Sequence, residues 1–117
     1  MNTVTAKAVR IMAEHFSNGI WRVGLLPPES LHGFRISSGL YARLQRWVNQ
    51  YEELDKAEGY TGEHALPGWT TFNTEGYAIA FAVKAELPDW HVIYVDETLL
   101  AMPFRTLANI EIPSKLN

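Results

Sequence analysis

Apolar positions repeat with two different periods along this chain. Between residues 38 and 58, Leu40, Leu44, Trp47, Val48, Tyr51 and Leu54 recur every three or four positions and draw one apolar stripe down a helix. Ser37 or Ser38 can cap its start, and Gly59 follows as a residue able to close it. Arg43, Arg46, Asn49, Gln50, Glu53 and Lys56 fall mostly off the stripe and are expected to meet water. A second helix is expected at 71–87, where Phe72, Ile79, Ala80, Val83 and Leu87 share a face and Pro88 ends the run. Thr70 or Thr71 can cap it, and Glu75 in its first turn complements the positive end of the macrodipole. Gly76 lies on the buried face and would admit a close neighbour. The segment between the helices, 60–69, reads as a loop from its glycines and proline.

After the Asp89-Trp90 turn, residues 92–95 are four consecutive β-formers without polar alternation, the pattern of a central strand buried on both faces. Asp96 and Glu97 close that strand as charged gatekeepers. Another strand is expected near 106–112, stopped by Pro113, and residues 17–37, with their glycines and Pro-Pro pair, read as mostly irregular. The N-terminal segment is open on periodicity alone. Val4, Ala8, Ile11 and Met12 have helical spacing, whereas Val9 to Glu14 alternates as a strand. With a strand there, the order is strand-helix-helix-strand-strand, an α+β two-layer fold with both helices on one face of a small β-sheet. With a helix there, three helices precede a C-terminal hairpin.

Length and composition narrow the class. A chain of 117 residues, 47% apolar and 20% charged, suits one folded domain over 1–117. The absence of cysteine removes disulfides, thiolate zinc sites, iron–sulfur clusters and a Cys nucleophile, and fits a reducing compartment. No run of 18 uninterrupted apolar residues occurs, and the charged N-terminus lacks a secretory h-region, so a cytoplasmic protein without a membrane span is expected.

The net charge of −3 conceals an asymmetry. Residues 1–50 carry six bases and two acids; residues 51–97 carry ten acids against Lys56 and Lys84, a balance of −8. Such a segment repels nucleic acid and would draw a basic protein partner, although a merely solvated acidic face has the same composition. The basic residues of the first half are scattered and carry no RNA-recognition signature.

Motifs for catalysis are missing. His15, His32, His64 and His91 include no i, i+4 pair and no H-E-x-x-H, and no metal or cofactor site is expected. His91 reads as a strand residue, and His64 as a loop residue paired locally with Glu63. No P-loop, dinucleotide fingerprint or nucleophile elbow occurs. Glu52 and Glu53 diverge by about 100° on a helix, and Asp96 and Glu97 point to opposite faces of a strand, so neither pair suits general acid–base work. Trp69 and Trp90 flank the second helix, where partial burial is expected; exposed, they would be protein–protein anchors.

The order of these segments resembles a family of small bacterial proteins, many carried beside polymorphic toxins. The resemblance rests on the Val9–Glu14 strand, the Gly19-Ile20-Trp21 turn, the helix pattern Leu40, Leu44, Trp47, Tyr51, Glu52, the pattern Glu75, Gly76, Ile79, Ala80, and the closing stretch Leu87 to Tyr94. It covers residues 7–96, leaves 97–117 unexplained, and favours the N-terminal strand over the helix. It implies an immunity protein, including those of contact-dependent growth inhibition (CDI) systems, that binds and neutralises a cognate toxin domain. No catalytic residue carries over. Many such toxins are nucleases with basic clefts, onto which an acidic surface would be steered. The expected contacts are Glu52, Glu53, Asp55, Glu58 and Glu63, with Tyr60 or Trp69 as aromatic anchors and Asp96 and Glu97 as a second group. The competing readings are an interaction or oligomeric module without a toxin partner, and a small enzyme whose pocket joins His64 or His91 to perturbed carboxylates.

Overall fold

The computed structural model describes residues 7–23, 35–100 and 108–113. Its elements are β1 (Ala8–Ile11), β2 (Ile20–Val23), α1 (Ser38–Ala57), α2 (Gly68–Glu86), β3 (His91–Val95), a one-turn α3 (Glu97–Leu100) and β4 (Asn109–Glu111). The strands form a mixed sheet in the order β2-β1-β3-β4. β1 pairs antiparallel with β2 and parallel with β3, which pairs antiparallel with β4. This is the expected α+β arrangement with an N-terminal strand. β3 is central, as its unbroken apolar run implied.

Alternation on the two central strands sets which face meets the helices. Val9 and Ile11 lie beside Val92 and Tyr94 in the parallel register, and all four are fully buried. Against them pack Leu44, Trp47 and Val48 of α1 and Phe72, Ile79 and Val83 of α2. Trp47 stacks on Phe72 with centroids 4.8 Å apart and donates its indole N–H to the Phe72 carbonyl at 3.0 Å, so this core indole has no orphaned donor. Truncating a buried ring of this size costs about 3–5 kcal/mol.

Gly76 lets α2 approach β3: a Cβ there would stand 2.6 Å from Tyr94 Cζ. The Tyr94 hydroxyl, passing that glycine, donates to Asn73 Oδ1 at 2.6 Å. Burial, followed by the nearby Asp96 and Glu97, raises the Tyr94 pKa well above its ordinary value.

α1 starts as expected, with Ser37 Oγ accepting from Leu40 N, and ends in a Schellman motif. There the N–H of Gly59 (φ +73°) bonds the Lys56 carbonyl, and that of Tyr60 bonds the Asp55 carbonyl. α2 departs from expectation. It begins three residues early, at Gly68 behind Pro67, with no side-chain cap. Proline is tolerated there because a helix's first N–H groups lack intrahelical partners anyway. Glu75 therefore lies beyond the first turn and holds Arg43 of α1 instead, at 2.7 and 3.1 Å. The Arg43 guanidinium keeps the Glu75 pKa below the usual range. The pair is half exposed and contributes under about 1 kcal/mol.

The irregular reading of 17–37 is overturned at β2, whose four residues become a strand by pairing with β1 rather than through any periodicity of their own. The strand expected near 106–112 is observed as β4; residues 106–107, Val4 and His32 lie outside the described residues.

Candidate functional site

The C-terminal ends of parallel β1 and β3 converge with the last turns of α1 and the first turn of α2. The β1–β2 turn is built on Ser17, whose Oγ donates to the Glu14 carbonyl at 2.8 Å and accepts from the N–H groups of Glu14 and Gly19 at 3.2 Å. Glu52 and Asp55 are three apart on α1, hence on one helical face, and both reach this turn. Glu52 accepts the Phe16 N–H at 3.2 Å, and Asp55 bonds His15 Nε2 at 2.8 Å. The α1 stripe delivers Tyr51 beside them, its ring 5.3 Å from His15 and 5.7 Å from Trp69. Burial, then the charges of Glu97, Asp55 and Glu14, push the Tyr51 phenol up to about 12.

Beyond the Schellman turn, Glu58 folds the chain back toward α2. Its carboxylate accepts the N–H groups of His64, Ala65 and Leu66. Desolvation pushes its pKa up, but these donors and the approaching Trp69 indole outweigh that and hold it below the ordinary value. The indole N–H of Trp69 is buried and closes no hydrogen bond of normal geometry, so its approach to Glu58 is electrostatic. Tyr60 is left projecting, 63% exposed and at φ +62°.

Several expected contact residues are placed differently. Trp69 is 1% exposed, packed against Phe72 and under the His64 ring at 4.0 Å, so it is a core residue rather than a surface anchor. Asp96 and Glu97 are not gatekeepers on opposite faces of a strand: β3 stops at Val95, and both are buried, at 6% and 4% exposure. Asp96 caps α3, accepting from Thr98 N at 2.9 Å and from the Tyr77 hydroxyl at 2.7 Å. Desolvation opposes its charge, but the donors from Thr98, Tyr77 and Asn73 prevail and lower its pKa. Among the described residues the Glu97 carboxyl has no such donors. Burial, then Glu14, Asp96 and Asp55, push its pKa up to about 8, so it carries a proton at neutral pH.

His64 does not pair with Glu63. Its Nδ1 lies 3.1 Å from the Glu97 carbonyl oxygen and 3.7 Å from Glu97 Oε1. A carbonyl only accepts, so the contact places the proton on Nδ1. His91, exposed on β3 as expected, bonds Glu111 of β4 at 3.0 Å.

Glu52, Asp55 and Glu58 are thus structural as well as acidic, whereas Glu53 and Glu63 are exposed and make no ion pair among the described residues. Backbone N–H donors, as at Glu52 and Glu58, fix a carboxylate without cancelling its charge. Glu14, Glu52, Asp55 and Glu58 thus lie at the end of the molecule formed by the β1–β2 turn, the last turns of α1 and the loop after it, while Glu53 lines the groove between α1 and α2. Glu14, His15 and Phe16 belong to this end and were missed; Phe16 is wholly exposed. The available signal was a phenylalanine inside the otherwise polar turn Glu14-His15-Phe16-Ser17-Asn18-Gly19.

Among the described residues, no three His, Asp or Glu side chains are grouped so as to hold a metal ion. No helix among them is long and apolar enough to cross a membrane. A cavity of about 380 Å³ runs between α1 and α2, over Leu54 and Phe72, and none of the described histidines lines it. Residues 7–97 match the family described as Serratia CdiI immunity protein-like. No curated protein and no solved structure matches the chain.

Proposed function

The chain belongs to the Serratia CdiI immunity protein-like family, whose match spans most of its length, and from that premise we propose that it neutralises a cognate toxin domain by docking its acidic end onto a basic face of that domain. What supports this docking mode is that Glu52 and Asp55 hold the β1–β2 turn that carries Glu14, and Glu58 holds the loop that follows Glu63. A toxin that cleaves nucleic acid needs a basic cleft to hold phosphate, and this end has the complementary sign. Glu53 and Glu63 supply unpaired charge, Tyr60 supplies contact area, and Glu52, Asp55 and Glu58 hold the surface rigid. Neutralisation by occlusion needs no catalytic group, cofactor or metal: this chain takes the place in the toxin's cleft that nucleic acid would otherwise occupy.

The reading expects a gene for a large secreted protein beside this one, and the test pairs the full chain with that protein's C-terminal domain. Cells producing that domain are expected to survive only with this chain, and the purified proteins to form a stable complex. The E53K/E63K double variant is expected to slow association about tenfold at low salt and to flatten its salt dependence, with dissociation changed less. An association rate indifferent to those reversals removes the acidic end from the interface. Failure of the wild-type pair to bind leaves the chain as an interaction module without a toxin partner.

A further inference from the structure

Phe16 is an apolar side chain at full exposure, 101% of its reference area, on a backbone held at φ +64°. Either feature alone is uncommon; together they oppose what folding favours. A bulky L-residue in the left-handed region is strained, and burial of the ring offsets none of that strain. Gly19 in the same turn is also at positive φ, +82°, where glycine bears no strain; Phe16 adopts it with a full side chain.

The strain persists because the turn is over-determined. Ser17 Oγ ties Glu14 to Gly19, Met12 N–H reaches the Gly19 carbonyl, and Phe16's own N–H is held by Glu52 of α1. His15 is anchored to Asp55, so the residue before Phe16 is fixed as well. Tyr60 repeats the device at φ +62° and 63% exposure. Both rings lie near His15, with centroids 6.3 and 6.2 Å from it. Rigid, projecting aromatic groups with little entropy left to lose are the anchors that dominate protein interfaces.

We propose that Phe16, supported by His15 and flanked by Tyr60, is the plug of the interface, seated in an apolar pocket of the toxin domain that is bordered by lysine or arginine side chains. The basic border follows from Glu14, Glu52 and Asp55 around the base of the turn, which would meet uncompensated charge in an acidic or wholly apolar pocket. This rests on the immunity reading and adds a separate, dissociation-controlling contact to it.

Full-length wild type, F16N and F16Y are titrated against the neighbouring toxin domain, with melting curves of each free chain. Asparagine tolerates the left-handed backbone, so F16N is expected to melt at or above the wild-type temperature. Its affinity is expected to fall at least ~30-fold, through faster dissociation, whereas F16Y stays near wild type. F16N binding within twofold of a tightly binding wild type overturns the plug while leaving the immunity reading intact. A clearly lower melting temperature of F16N also overturns it, because Phe16 would then be structural. A free-chain dimer abolished by F16N with toxin affinity unchanged would assign the ring to a second copy of this chain. If wild type itself does not bind, the immunity reading fails first and the plug with it.

Discussion

Replacing Glu97 with glutamine isolates one buried titration. In the folded chain Glu97 is 4% exposed and faces the Glu14, Asp55 and Asp96 carboxylates, with His64 Nδ1 at 3.7 Å. Its pKa stands at about 8 against an ordinary 4.5. Between those values the folded chain holds a proton that the unfolded chain has released, so stability falls as pH rises through this window. The slope is about 1.4 kcal/mol per pH unit, giving a ceiling of roughly 3 kcal/mol by pH 7. Glutamine matches the protonated carboxyl in shape and cannot ionise. Urea unfolding of both chains, followed by tryptophan fluorescence at pH 4, 7 and 8.5, is expected to show a small, fixed difference at pH 4. By pH 7 E97Q should be the more stable by about 2–3 kcal/mol. Asp96, Glu58 and Glu75 have lowered pKa values and act in the opposite sense, losing stability as pH falls, but they are common to both chains and cancel. Parallel pH profiles for the two chains would refute a protonated Glu97.

G76A is expected to cost about 3 kcal/mol in denaturant unfolding, because the added Cβ meets the Tyr94 ring and neither α2 nor β3 can withdraw without opening the core. A loss below about 1 kcal/mol would mean that the helix rides over β3 freely. E58A is expected to accelerate amide exchange at His64, Ala65 and Leu66, the three donors its carboxylate holds, while Leu44 and Val48 on α1 stay protected. Equal protection in both chains would show that the α1–α2 connection does not depend on Glu58.

The carboxylates of 51–97 show how charge can be legible in sequence while its placement is hidden. The balance of −8 over 51–97 already pointed to an acidic face, but only the fold separates its members. Glu53 and Glu63 remain outside, Glu52, Asp55 and Glu58 are spent holding the turn and loop, and Asp96 and Glu97 are folded inward. Glu52 takes its donor from 36 residues away and Asp96 one from 19 residues away, while Glu58 takes its donors six to eight residues on, only because the chain folds back there. For Asp55 the partner is His15, 40 positions earlier. Phe16 is the converse: its neighbours in sequence predict a polar turn, and its significance appears only once its exposure and its backbone are known together.

By itself the sequence determined the long helix α1 with a serine cap at 37 or 38 and a Gly59 stop, the body of α2, the central place of β3 and a glycine on the buried face at 76, because these follow from periodicity and backbone chemistry within a few residues. The tertiary structure decided β2, which exists through its pairing with β1, the early start of α2 at Gly68, and the burial of Trp69 and Glu97. Those outcomes are set by which surfaces meet. The free energy of covering Trp69 with His64 and Phe72, or of leaving Phe16 bare, belongs to contacts between segments and to no single one of them.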